Sequence, residues 1–90
     1  MTHQVASRVV VYTTNWCPQC RSAEALLARR GIAFEEVDAE AQWGAAFRDE
    51  LYKLTGQLTV PQIVIDGRPV GGWSDLVALD ESGELRRILG

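Results

Sequence analysis

The spacing of apolar positions along this chain switches between strand-like and helical runs, and each switch marks an element. Val9, Val10, Val11 and Tyr12 form an unbroken apolar run, the pattern of a central strand buried on both faces. Ala23, Leu26 and Leu27 then recur at helical spacing, with Arg29 and Arg30 in the last turn and Gly31 just past it. Pro18 suits the first turn, where no N–H donor is required, so the pattern predicts a helix over 18–30. A second strand, mixed in polarity, is expected over 33–37. Trp43, Ala46, Phe47, Leu51 and Leu54 fall on one face of a second helix that ends at Thr55-Gly56. Two short apolar runs, Gln62–Ile65 and Arg68–Gly71, flank Asp66-Gly67, the strongest hairpin signal in the chain. After Gly71-Gly72 a third helix is expected near Ser74, burying Leu76, Val77 and Leu79, and Leu85, Ile88 and Leu89 continue a final helical stretch.

Strand, helix and strand in sequence predict a parallel unit with a right-handed crossover. Joined to the hairpin, it gives an α/β chain with a four-stranded mixed sheet, order β-α-β-α-β-β-α, and helices on both faces. Ninety residues are expected to form one domain over 1–90, with 1–7 a flexible tail. At this size the margin for a core is thin.

Composition adds mainly exclusions. The net charge of −3 offers no positive field for nucleic acid or an anionic membrane. No apolar stretch is long enough to span a bilayer. The opening residues lack a secretory leader's apolar segment, which predicts a cytoplasmic protein.

Two cysteines stand as Cys17-Pro18-Gln19-Cys20, between the first strand and the first helix. Strand, C-x-x-C and helix in that order is a layout for thiol–disulfide exchange. The unpaired N–H groups and positive dipole end of a helix N-terminus favour thiolate over thiol, and thiolate is the nucleophile. Cys17 is therefore expected to attack and Cys20 to resolve. A bridge so short restrains little of the unfolded chain, so it is a poor staple. In a reducing cytosol a disulfide is usually transient and catalytic. Structural zinc takes four ligands, and His3 is the lone histidine, so no metal site is expected.

Three segments carry a family resemblance: Y-T-T-N-W-C-P-Q-C from Tyr12, T-V-P-Q-I from Thr59, and G-G-W-S-D-L from Gly71. In this order, over nearly the whole chain, they resemble the glutaredoxins of the thioredoxin-like fold. The resemblance implies Cys17 as nucleophile, Cys20 as resolving thiol and a cis bond between Val60 and Pro61. Val60 would then offer its backbone N–H and C=O to an extended thiol substrate beside Thr59 and Pro61. In glutaredoxins the loop matching Gly72, Trp73, Ser74 and Asp75 grips the γ-glutamyl end of glutathione. Asp75 would take its α-amino group, and the backbone at Trp73 and Ser74 its carboxylate. Trp16 and Gln19, beside the two cysteines, complete the expected substrate-binding set. Trp16 is expected to stand half exposed, for partner contact.

The resemblance further implies a monomer with no tightly bound cofactor, using glutathione or another low-molecular-weight thiol as co-substrate on protein or small-molecule disulfides. Three departures open alternatives. Thr14 stands where many glutaredoxins carry Lys, Gln19 where many carry Tyr, and Leu58 where a basic residue often precedes T-V-P. Trp16 is similar to thioredoxins, and Gln19 to the redoxins that serve ribonucleotide reductase and are recharged by thioredoxin reductase. An iron–sulfur cluster carrier, as a thiol-bridged dimer, is the non-enzymatic alternative. Arg21, Lys53 and Arg68 are expected on solvated faces, and Trp43 is expected in the core.

Overall fold

The computed structural model describes residues 7–90; the rest of the expected N-terminal tail, and His3, lie outside this range. The elements run β1 (Val9–Thr13), α1 (Pro18–Arg29), β2 (Glu35–Asp38), α2 (Ala39–Trp43), α3 (Phe47–Thr55), β3 (Gln62–Ile65), β4 (Arg68–Gly71), α4 (Trp73–Glu81) and α5 (Glu84–Leu89), with a 3-10 turn at Gly44–Ala46. The sheet order is β2-β1-β3-β4. β1 pairs parallel with β2 and antiparallel with β3, and β3 pairs antiparallel with β4. This is the mixed four-stranded sheet the apolar pattern predicts.

Register sorts the sheet into two faces. Val9 pairs with Ile65 and Val11 with Ile63. All four are buried and share one core with Ala23, Leu26 and Leu27 of α1, Leu76 of α4 and Leu85 of α5. Their neighbours along the strands point the other way. There Tyr12 stacks on Trp43 at 5.6 Å between ring centroids, and Val64, Phe47 and Leu51 are buried outside that main core. The core covers one face with α1, α4 and α5 and leaves the other to α2 and α3. The hairpin closes with positive φ at both Asp66 (53°) and Gly67 (80°), as a two-residue turn of this hand requires.

The second helix differs from its prediction. Gly44 takes φ 64° and ψ −144°, which no helix continues, so α2 and α3 are separate. The break rotates the helical face: Phe47 and Leu51 are buried, while Ala46 and Leu54 are exposed and Trp43 is half-buried. β2 begins two residues later than expected, and Arg30 caps α1 rather than extending it.

Candidate active site

Cys17 is not inside α1 but is its N-cap, in extended conformation (φ −153°, ψ 95°). Its Sγ accepts the Cys20 N–H at 3.1 Å, and its carbonyl accepts the Arg21 N–H at 3.2 Å. The first turn of α1 thus aims a backbone donor at one sulfur. Cys17 and Cys20 are joined as a disulfide, their Cα atoms 5.2 Å apart. Cys17 is partly exposed and Cys20 fully buried. An attacking group must meet a substrate, whereas a resolving group needs to meet only its neighbour, and the burial is asymmetric in that sense.

A cleft of about 260 Å³ opens beside the pair, lined by Gln19, Gln57, Thr59, Val60, Pro61, Gly72, Trp73, Ser74 and Asp75. It gathers every substrate-binding residue expected from sequence except Trp16. That ring stands outside the cleft and is 85% exposed, well beyond the half exposure expected. The Val60–Pro61 bond is cis. Asp75 is the one charged side chain on the wall, and its Oδ2 accepts the Gly72 N–H at 2.9 Å, capping α4. A helix-capping role and a ligand-binding role are compatible, because a carboxylate has more than one acceptor site.

Three residues that sequence reasoning missed hold the cleft's outer wall. Gln62, fully buried after Pro61, donates from Nε2 to Gln57 Oε1 (3.2 Å) and Thr59 Oγ1 (3.4 Å). Arg48 Nη1 donates to the Leu58 carbonyl at 2.8 Å, tying the wall to α3. Gln57 itself lines the cleft. A polar residue opening an otherwise apolar strand was the available signal for Gln62; Arg48 had none.

Behind α1 lies a charged network. Arg21 is exposed, as expected, and from there bonds Glu36 Oε2 (2.9 Å) and Glu24 Oε1 (3.0 Å), while buried Thr13 Oγ1 also donates to Glu36 Oε2 (2.9 Å). Burial pushes the Glu24 carboxyl up, with Glu36 adding to the rise and Arg21 opposing it. Burial also acts upward on Glu36, but hydrogen bonds from Thr13, Arg21 and Glu24, with the Arg21 charge, together outweigh it and leave that carboxyl below its ordinary range. Lys53 pairs with Glu50 on α3 at 3.4 Å. Among the described residues, no group of three or more histidine, cysteine or acidic side chains is placed to hold a metal ion.

The chain matches the family model described as Glutaredoxin over residues 9–70. It is 43% identical to Glutaredoxin 3 of Escherichia coli strain K12 over 83 residues, covering 92% of this chain and 98% of that protein. The solution structure of glutaredoxin from Brucella melitensis superposes with a TM-score of 0.78 at 42% identity, covering 96% of this chain and 91% of that one. The crystal structure of a buckwheat glutaredoxin–glutathione complex gives 0.84 at 26% identity, covering 93% and 77%.

Proposed function

The chain belongs to the glutaredoxin family of thiol–disulfide oxidoreductases, and from that premise we propose that Cys17 is its nucleophile and Cys20 its resolving thiol. The observation that carries this reading is the backbone donor of Cys20 aimed at Cys17 Sγ from the helix N-terminus. In the reduced protein the same donor and the helix dipole favour the Cys17 thiolate.

The Cys17 thiolate attacks one sulfur of a disulfide and forms a mixed disulfide with it. The other half leaves as thiolate and takes a proton from water. Cys20 then loses its proton, attacks Cys17 Sγ and expels the second half as thiolate. Two electrons pass to the substrate, and the Cys17–Cys20 disulfide results. Two molecules of glutathione, or of another small thiol, return the protein to the dithiol by the reverse exchanges.

The cleft supports glutathione as that thiol. Val60 supplies backbone for short antiparallel pairing with the bound peptide. Trp73 and Ser74 place the first N–H groups of α4 toward its γ-glutamyl carboxylate, and Asp75 keeps one oxygen for the α-amino group. The buckwheat relative, whose structure is a glutathione complex, supports the same assignment. On this reading the protein acts as a monomer that transfers electrons and maintains thiol balance in a reducing cytoplasm.

Thr14 and Leu58, uncharged where many glutaredoxins are cationic, favour a second reading: a redoxin recharged by thioredoxin reductase that feeds ribonucleotide reductase. One experiment separates the two. Oxidised protein is offered glutathione with its reductase, then thioredoxin reductase, and free thiols are counted. Recovery with glutathione supports the first reading, and recovery only with thioredoxin reductase overturns it in favour of the second. A visible absorption spectrum taken without oxygen decides whether a cluster-bridged dimer exists instead.

A further inference from the structure

Four large apolar side chains stand exposed among the described residues: Trp16 (85%), Tyr52 (56%), Leu58 (49%) and Leu54 (44%). Two of them adjoin the redox site directly. Trp16 precedes Cys17, and Leu58 precedes Thr59 on the cleft wall. Neither lines the cleft itself.

We propose that Trp16 and Leu58 are apolar anchors that select polypeptide disulfides carrying an apolar side chain close to the target cysteine. This rests on the reading of Cys17 as nucleophile. Its warrant is position. A small thiol that fills a cleft of about 260 Å³ has no need of side chains outside the wall. A chain that continues past the cleft at about 3.3 Å per residue reaches them within a residue or two.

The backbone beneath both anchors is fixed: the Leu58 carbonyl accepts from Arg48, and Trp16 immediately precedes Cys17, the N-cap of α1. Tryptophan is among the residues that carry most association energy at an interface once a partner buries it. Each anchor is one residue from the redox site, Trp16 from Cys17 and Leu58 from Thr59, so the occupant is the reacting substrate itself. A second copy of this chain is the competing occupant.

The test uses two short peptides, each in mixed disulfide with the same small thiol and of equal net charge. One has Leu and the other Ser two positions from cysteine. The small hydroxyethyl–glutathione mixed disulfide is the reference. For the wild type, kcat/KM should favour the Leu peptide about ten-fold, the scale on which one apolar contact discriminates. Trp16→Ala and Leu58→Ser should each shrink that ratio, and together bring it within about two-fold of unity. A wild-type ratio near one, or a ratio untouched by both substitutions, overturns the proposal. So does a wild-type dimer in sedimentation that Trp16→Ala dissociates, because the ring then belongs to a second copy. Activity on the reference alone overturns the anchors but spares the assignment of Cys17; inactivity on all three substrates overturns that assignment as well.

Discussion

Gly71→Ala tests whether the cleft's inner wall is built as the geometry indicates. Gly71 ends β4 at φ +120°, a region that side chains with a Cβ rarely enter. A Cβ there would lie 2.5 Å from Asp75 Cγ and 2.8 Å from its Cβ, and closer still to Oδ2. The backbone conformation alone costs about 1–3 kcal/mol. Displacing Asp75 adds an overpacking cost of about 1–3 kcal/mol. Breaking its bond to the Gly72 N–H forfeits about 1 kcal/mol more. The sum is about 3–7 kcal/mol, against a total stability of about 5–13 kcal/mol for a chain of this length. Urea unfolding followed by fluorescence measures it, with the slope expected unchanged. Asp75→Ala should cost only the cap, about 1 kcal/mol. In the double variant the Oδ2 and Cγ clashes vanish, so its loss should fall short of the sum of the single losses by about 1–2 kcal/mol, the size expected for residues in contact. Strict additivity in that cycle, or a Gly71→Ala loss under about 1 kcal/mol, would refute the argument.

Cys17→Ser should abolish disulfide-reducing turnover, whereas Cys20→Ser should trap a mixed disulfide visible by mass spectrometry; the reverse pattern would exchange their roles. Alkylation of the reduced protein should titrate Cys17 below the ordinary thiol value of about 8.5, and an unshifted midpoint would remove the helix N-terminus from the mechanism. In Glu36→Gln, Glu24 loses the neighbour that helps hold it up and keeps Arg21, so its carboxyl should titrate lower by NMR. Arg30 holds the Asp80 carboxyl below its ordinary range by a two-bond contact, and Arg8 does the same for Asp66. Both folded values lie below the unfolded ones, so this stability is present above about pH 3.9 and is lost as pH falls through the folded values. Asp80→Asn should flatten that acid limb, as read from urea midpoints at successive pH values.

What could be read from sequence divides along a physical line. The β3–β4 hairpin was legible to the residue because Asp66 and Gly67 both take the positive φ its turn requires, a preference carried by those two residue types. α1 was legible for a similar reason: Pro18 and Gly31 punctuate it locally. The second helix was misread because Gly44 sits inside a pattern that otherwise keeps helical spacing, and only its positive φ shows that the chain turns there. A periodic apolar pattern does not state which glycine breaks it. The cleft divides likewise. Its cysteines, cis-proline loop and Gly72–Asp75 segment came from three short segments, each weak alone and strong only together in that order. Gln62 holding Gln57 and Thr59, and Arg48 holding Leu58, are contacts whose partners only the fold selects.

The same distinction accounts for Arg21, whose side chain crosses from α1 to Glu36 of β2, fifteen positions away. At the level of one helix it is a cation on an outer face, and a solvated reading is the default. The parallel pairing of β1 with β2 sets Thr13 opposite Asp38 and brings Glu36 beneath the first turns of α1. Arg21 then fastens to that strand edge the turn whose backbone faces Cys17. A helix N-terminus stabilises a thiolate only while its donors keep their aim. The charged network behind α1 and the N-cap at its mouth therefore share one helical turn, but the Arg21–Glu36 pair is exposed and adds only about 0–1 kcal/mol to its hold, so the aim of the donors rests mainly on the helix itself.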